Sequence, residues 1–224
     1  MSMLPRYETK LREIQGMVAE IIHKEVTANR MALEAYSAKN ADGFEAATET
    51  LKMIENDGNT VDNEIVKTFA LFGPEAQELR GLVAYLKMTN ELVRIAEGTK
   101  KYARRIRELM QSDCNLEPFD NAIVQLHKSV VNALTSIYEC VSKIDSCDVE
   151  ETYRKVMVEE SKNDDLFAIL EKDIMSMIIS EHELSASYVR MLGTLRKLER
   201  VCDRAVNVAN LLMFEHKGGK LQSY

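Results

Sequence analysis

Glycine and proline are scarce, at nine and three in 224 residues. That is far below ordinary usage and leaves few places at which a helix is forced to stop. Cys114, Cys140, Cys147 and Cys202 form no C-x-x-C pair, which excludes a zinc ribbon or a thioredoxin-like motif; they are expected to be reduced packing residues. No apolar run approaches the ~20 residues needed to span a bilayer. The start, MSMLPRYETKLREIQ, lacks the apolar centre of a signal peptide, so a cytoplasmic protein is expected. A net charge of −7 provides no phosphate-neutralising excess of lysine and arginine, which argues against a nucleic-acid binder. Nothing in the chain resembles a nucleophile elbow or a catalytic glycine-rich turn.

What is abundant is alanine, leucine, glutamate, lysine, arginine and methionine, the residues that lose least on entering a helix. With 46% hydrophobic residues, the chain can bury a core without help from disulfides or metals. Pro5, Pro74 and Pro118 each sit at the start of a helical pattern, where a missing N–H costs least. Turn formers interrupt the pattern at Asn40 to Gly43, Asp145 to Asp148 and Ser180 to Glu183. The expectation is an all-α fold of six helices, over 5–38, 43–71, 74–111, 118–144, 149–179 and 183–215, with a frayed tail over 216–224.

In the sixth of these, Leu184, Tyr188, Met191, Leu195, Leu198, Cys202, Ala205, Ala209 and Leu212 alternate steps of four and three, the spacing of one buried seam. The third repeats the idea with Leu79, Leu82, Val83, Leu86, Val93, Ala96, Ile106 and Leu109. Shifting the chain by 106 residues lays Leu92 to Glu97 on Leu198 to Asp203. Each half then supplies three antiparallel helices, predicting two tandem three-helix bundles over 1–112 and 113–215.

Along the fifth helix the stripe reads Tyr153, Met157, Glu160, Asp164, Phe167 and Ile174, so two acids four residues apart interrupt the seam and point the same way. Glu199 and Asp203 have the same spacing beside the seam of the sixth helix. Counting from the loop between these helices brings the four carboxylates together, Glu160 towards Glu199 and Asp164 towards Asp203. Clustered carboxylates repel unless protonated or bridged by cations, and an all-oxygen set suits magnesium, manganese, calcium or iron. The plainer alternative is that they are surface acids paired with Arg196, Arg200 and Arg204, which run down the same helix at spacing four. In the first half the same counting sets Leu51 opposite Val93 and Glu55 opposite Glu97, with Leu51 or Gly58 in place of an acid, so weaker metal binding or none is expected there.

At Glu199-Arg200-Val201-Cys202-Asp203-Arg204-Ala205-Val206-Asn207-Val208-Ala209 the sequence resembles the PhoU family, whose repeats end in E-R-x-x-D followed by a small residue and an Asn-aliphatic step. Gly73 to Arg80 is similar to that family's P-x-A-x-D-L-R opening of the third helix, and Glu160 to Asp164 matches its other acidic signature. The departures are Val93 in place of a glutamate and the missing proline and L-R near Ser185-Ala186. The resemblance implies a cytoplasmic, non-enzymatic negative regulator that couples a phosphate ABC transporter to a sensor histidine kinase and represses uptake when phosphate is plentiful. It further implies a homodimer, and a divalent or multinuclear metal (iron, manganese, magnesium, calcium or zinc) at the acidic motifs.

Two other functions compete with this reading. A ferritin-like di-metal oxidase needs two Glu-x-x-His pairs on different helices, and only Glu20 to His23 has that spacing. A generic scaffold could instead use Lys100, Lys101, Arg104, Arg105 and Arg107 to dock an acidic partner or an anionic membrane, although charges there also complement the helix C-terminus.

Overall fold

The computed structural model describes residues 3–74 and 76–218. Its elements are α1 (Met3–Ser37), α2 (Gly43–Thr50), α3 (Ile54–Phe72), α4 (Ala76–Met110), α5 (Asp120–Ser142), α6 (Val149–Ser180) and α7 (Ser185–Lys217), with single 3-10 turns before α5, α6 and α7. No strand occurs among the described residues. The chain is all-α and built of two repeats, as the periodicity predicted.

Three details differ from that reading. The second predicted helix is broken over Leu51 to Met53 into α2 and α3, where Leu51 is fully buried and its N–H bonds to the Thr48 carbonyl in a tightened turn. Helix α7 runs through His216 and Lys217, so part of the expected tail is helical, and the rest from 219 lies outside the described residues. The cysteines are not all reduced: Cys140 in the last turn of α5 and Cys147, just past the 3-10 turn, are joined by a disulfide with their Cα atoms 5.1 Å apart. A C-x₆-C spacing carries no metal or redox signature, and it is the tight reversal between α5 and α6 that brings the two together. Cys114 and Cys202 are free and buried.

The ends of the helices follow local chemistry. The Asp148 side chain accepts from the Glu151 N–H at 3.0 Å, capping α6. Gly73, at φ 53°, closes α3 in the left-handed region where a side chain is disfavoured.

The two repeats do not sit as separate balls. Helices α1, α4, α7 and α5 form an inner ring, each packing on the next, while α2 and α3 lie outside on α1 and α4, and α6 lies outside on α5 and α7. The α4–α7 contact, between repeats, is more extensive than any within one. One continuous apolar core results. The predicted α7 seam is buried along its length except for half-buried Leu184. On α4 the interior also takes Tyr85, Met88, Leu92, Ile95 and Tyr102, whereas Leu79, expected in the seam, is 41% exposed.

Helices α4 and α7 approach closely at Gly98, where a Cβ would stand 2.8 Å from Val201 Cγ2. Further along the ring, Asn29 on α1 donates to Thr99 Oγ1 on α4 at 3.1 Å and meets His127 Nε2 on α5 at 3.2 Å. The Asn29 amide oxygen is an acceptor, so His127 carries its proton on Nε2 and leaves Nδ1 bare, which agrees with the unpartnered, buried Nδ1. Burial holds this ring neutral, its pKa pushed down to about 3.

These contacts set a comparison between two glycines. Gly98→Leu should cost about 1–3 kcal/mol through overpacking of the α4–α7 seam. Gly193→Ala, where nothing lies within 4 Å of the added methyl, should gain up to about 1 kcal/mol from helix propensity. Equilibrium urea unfolding measures both, and equal effects would show that the seam is not closely packed.

Candidate metal centre

Helices α6 and α7 are antiparallel across the turn at Glu181 to Leu184. In such a hairpin a step forward on one helix matches a step back on the other, so Glu160 lies opposite Asp203 and Asp164 opposite Glu199. Asp164 lies beside Asp203 as expected, and Glu160 joins them; Glu199 is coupled to Asp203 and Asp164 electrostatically but stands outside that three-oxygen group. Glu160, Asp164 and Asp203 each offer a carboxylate oxygen, and these oxygens all lie within 4.8 Å of one another. Glu160 and Asp203 are half-buried and Asp164 is exposed.

The fifth-helix stripe is as expected at Phe167 and Ile174 and displaced by one position at Tyr153, Met157 and Asp164. The buried face of α6 is Val149, Thr152, Val156, Asn163, Phe167, Leu170 and Ile174, and the acids flank it on the side toward α7. Asn163, not an acid, occupies the core position, donating to the Leu126 carbonyl and to Ser129 Oγ, each at 2.8 Å. That residue was missed as a part of the site; it anchors α6 to α5 behind the carboxylates. Its only signal in the sequence is a polar side chain at the seam spacing.

The electrostatics are those of an uncompensated cluster. Burial raises the Glu160 carboxyl above its ordinary range, and the charges of Asp164 and Asp203 raise it further. Asp203 is raised by burial and then by Asp164, against the opposing pull of Arg200 and Arg204. Glu199 is raised by burial and by Asp203 and Asp164, with Arg196 and Arg200 opposing. Cys202 lies directly behind them; burial and the surrounding carboxylates push its thiol far up, so it packs as a neutral group and supplies no thiolate.

Two of the three arginines that could have neutralised the acids are engaged elsewhere. Arg196 bonds to Glu171 at 3.1 Å and lies over the Phe167 ring, and Arg204 pairs with Glu91 at 2.7 Å. Among the described residues, none of the four acids has a basic nitrogen within 4.0 Å. The surface-pair alternative is thus not what the side chains adopt. Glu199 also has an oxygen, Oε2, that is shielded from solvent and has no hydrogen-bond partner, an arrangement that is costly unless the group is protonated or a cation sits against it.

In the first repeat the equivalent positions have lost this character. Val93 faces Gly58 rather than Leu51: a Cβ on Gly58 would lie 2.8 Å from Val93 Cγ2. The aliphatic contact replaces the Glu199 and Asp164 pair, while Leu51 is buried at the α2–α3 break. Glu55 and Glu97 remain, lining one surface hollow with Lys100, Lys101 and Arg104. Lys100 is 3.8 Å from Glu55 and Lys101 is 3.4 Å from Glu97, so these acids already have cations. Arg107 pairs with Asp42 and Glu45, and the basic stretch is therefore not one free surface. The lone Glu-x-x-His pair stays outside the cluster, Glu20 and His23 both exposed on α1 and the His23 ring 5.0 Å from that of Tyr138.

Removing one charge from the second-repeat cluster should stabilise metal-free protein. For an acid whose folded pKa is raised, stability falls as pH rises from the unfolded value through the folded one and then levels off. Asp203→Asn should therefore unfold at a higher temperature than the native sequence in chelator at pH 7, and the gap should shrink as pH is lowered towards 4. A gap that widens on acidification would show that Asp203 is stabilised as an anion.

A family model described as PhoU domain matches twice, over residues 18–106 and 123–212. Among curated relatives, the phosphate-specific transport system accessory protein PhoU of Serratia marcescens is 22% identical over 212 residues, covering 92% of this chain and 84% of that protein. The PhoU homolog 1 of Methanothermobacter thermautotrophicus is 21% identical and covers 93% of both chains. Solved structures share the fold: the phosphate transport system regulatory protein PhoU of Streptococcus pneumoniae superposes with TM-score 0.80 at 16% identity, covering 97% of this chain and all of that one. PhoU of Pseudomonas aeruginosa gives 0.74 at 19%, covering 96% and 98%. With both repeats matched over most of their length, the chain belongs to the PhoU family.

Proposed function

We propose that this protein is a non-enzymatic accessory regulator of phosphate uptake. It acts in the cytoplasm, probing the state of a phosphate ABC transporter and relaying it to a sensor histidine kinase, so that uptake is repressed when phosphate is plentiful. The observation that carries this reading is the match of both repeats to one family, with relatives named as accessory proteins of phosphate transport along nearly the whole chain. No described helix is long and apolar enough to cross a membrane, so contact with a transporter would be made from the membrane's edge, by a homodimer or a single copy.

Within this reading the second repeat holds a divalent cation. Glu160, Asp164 and Asp203 would ligate it, and Glu199 would complete the set. The residues fit such an ion: three of the oxygens converge, no basic nitrogen lies within 4.0 Å of the acids among the described residues, and the buried Glu199 Oε2 lacks a partner. A bound cation would cancel the mutual repulsion and tie α6 to α7, a structural role that needs no redox step. All-oxygen ligation favours a hard or borderline ion over zinc. The first repeat, with Glu55 and Glu97 neutralised by lysines, would bind weakly.

Deleting the gene should derepress the phosphate-starvation response in phosphate-replete cells, read by alkaline phosphatase activity or a transporter-promoter reporter; unchanged expression would refute the regulatory role. Metal analysis of purified protein tests the site separately. Glu199→Ala and Asp203→Ala should each lower bound divalent metal at least tenfold, whereas Glu97→Ala should leave it nearly unchanged. Metal content that is the same in all three variants would sink the assignment.

A further inference from the structure

One covalent crosslink occurs among the described residues, the disulfide between Cys140 in the last turn of α5 and Cys147 just ahead of α6, seven positions apart in sequence. The packing does not need it. Buried apolar residues from all seven helices already form one continuous core, enough to hold a chain of this length without a staple. The linked turn lies outside that core, with Ser142, Lys143, Asp145 and Ser146 exposed and Ile144 only partly packed against it. Helix α6 also has anchors of its own: Asp148 caps its first turn, Val149 is buried, and Glu150 pairs with Lys217 at the end of α7. A crosslink that the fold can lose without unfolding has two usable states.

The two sulfurs are unequally placed. Cys140 is buried, whereas Cys147 is half-buried, its Sγ 3.4 Å from Thr152 Oγ1. An incoming thiolate therefore meets Cys147 first. Cys114 and Cys202 are free but buried, so neither offers an accessible thiol for exchange with the pair.

The linked turn is also one wall of a surface cleft of about 490 Å³, whose other wall is α1 at Arg12, Gln15 and Ala19. Two polar contacts cross between the walls. Gln15 Nε2 donates to the Val141 carbonyl at 3.3 Å, and Arg12 lies 3.7 Å from Asp145 with both side chains exposed. A long hydrogen bond and a solvated ion pair hold little. The disulfide is the firmest constraint on this wall.

We propose that Cys140 and Cys147 form a reversible thiol–disulfide site that exchanges with dithiol reductants, and that its state sets how firmly the α5–α6 turn is held against α1. The thiolate of a dithiol attacks Cys147 Sγ, the bond to Cys140 breaks, and Cys140 leaves as a thiolate that takes up a proton. The second thiol of the reductant then attacks the mixed disulfide, releasing Cys147 as a thiol and the reductant as its own disulfide. Two electrons and two protons reach the protein, and an oxidised dithiol restores the bond by the reverse path. Use of the site as a switch rests on the cytoplasmic placement proposed above, where thiol reductants oppose disulfides. The exchange itself does not.

Purified full-length protein is equilibrated without oxygen across ratios of reduced to oxidised dithiothreitol, quenched in acid, alkylated with a maleimide and mapped by mass spectrometry. Cys140 and Cys147 should gain label together along a two-electron curve, approached equally from either starting state. In the reduced protein, hydrogen exchange should rise over residues 141–152 and the facing turns of α1 while α4 and α7 stay protected. Melting should stay cooperative and fall by about 5–10 °C. Cys140→Ser/Cys147→Ser should show the reduced exchange pattern without reductant and no response to it, which places the effect on this pair. A pair that stays unlabelled in excess reductant, or labelled at every ratio, overturns the proposal. So does reduction that unfolds the chain or leaves exchange at the turn unchanged. These readings are made on purified protein, so their failure is separate from failure of the regulatory role, which is read as gene expression in cells.

Discussion

The contact on which the molecule depends is the close approach of α4 and α7 at Gly98 and Val201. Three-helix units are short of core, because each has a face that would otherwise meet water. Joining them along α4 and α7 buries both faces at once and makes the core continuous. The contact also fixes register. Once Gly98 is seated on Val201, Glu91 is brought within reach of Arg204. The acid cluster on the opposite side of α7 inherits its position from the same seam, since α6 packs on a helix that α4 already holds in place.

The repeated helices and the α7 seam were legible because periodicity at 3.6 residues survives in a chain with few glycines and prolines. The break at Leu51 to Met53 was not, for no helix breaker marks it; a buried leucine and a tightened turn do the work. The four acids were also legible by residue type and spacing. Three of them converge, and the seam of α6 is right at Phe167 and Ile174 but one residue late at Tyr153, Met157 and Asp164, because Asn163, a polar side chain, occupies a core position. With its Nδ2 donating to Leu126 and Ser129, it reads as surface in sequence and behaves as interior in the fold. The fate of the arginines could not be read at all: spacing places Arg196, Arg200 and Arg204 near the acids, while partners from α6 and α4, remote in sequence, draw two of them away.

The two repeats have diverged by charge rather than by shape. Where the second repeat keeps Asp164 and Glu199, the first has Gly58 against Val93, a contact that needs no ion and responds to none. Where the second leaves its remaining acids without cations, the first surrounds Glu55 and Glu97 with lysines. At these equivalent positions the second repeat thus keeps acids without paired cations and the first keeps only acids paired with lysines, while the helices keep their order and direction.

The hydrogen bond from His127 to Asn29 has a consequence for how the halves find each other. Smooth apolar helices can slide by a turn and lose little, so several alignments of α1 on α5 would be nearly equal in energy. A shift by one turn would leave Asn29, Thr99 and His127 facing aliphatic side chains in a dry interior with no water to replace their partners. The polar trio therefore works as a key cut into an otherwise greasy lock: it adds little to the strength of the correct assembly and heavily penalises every neighbouring one.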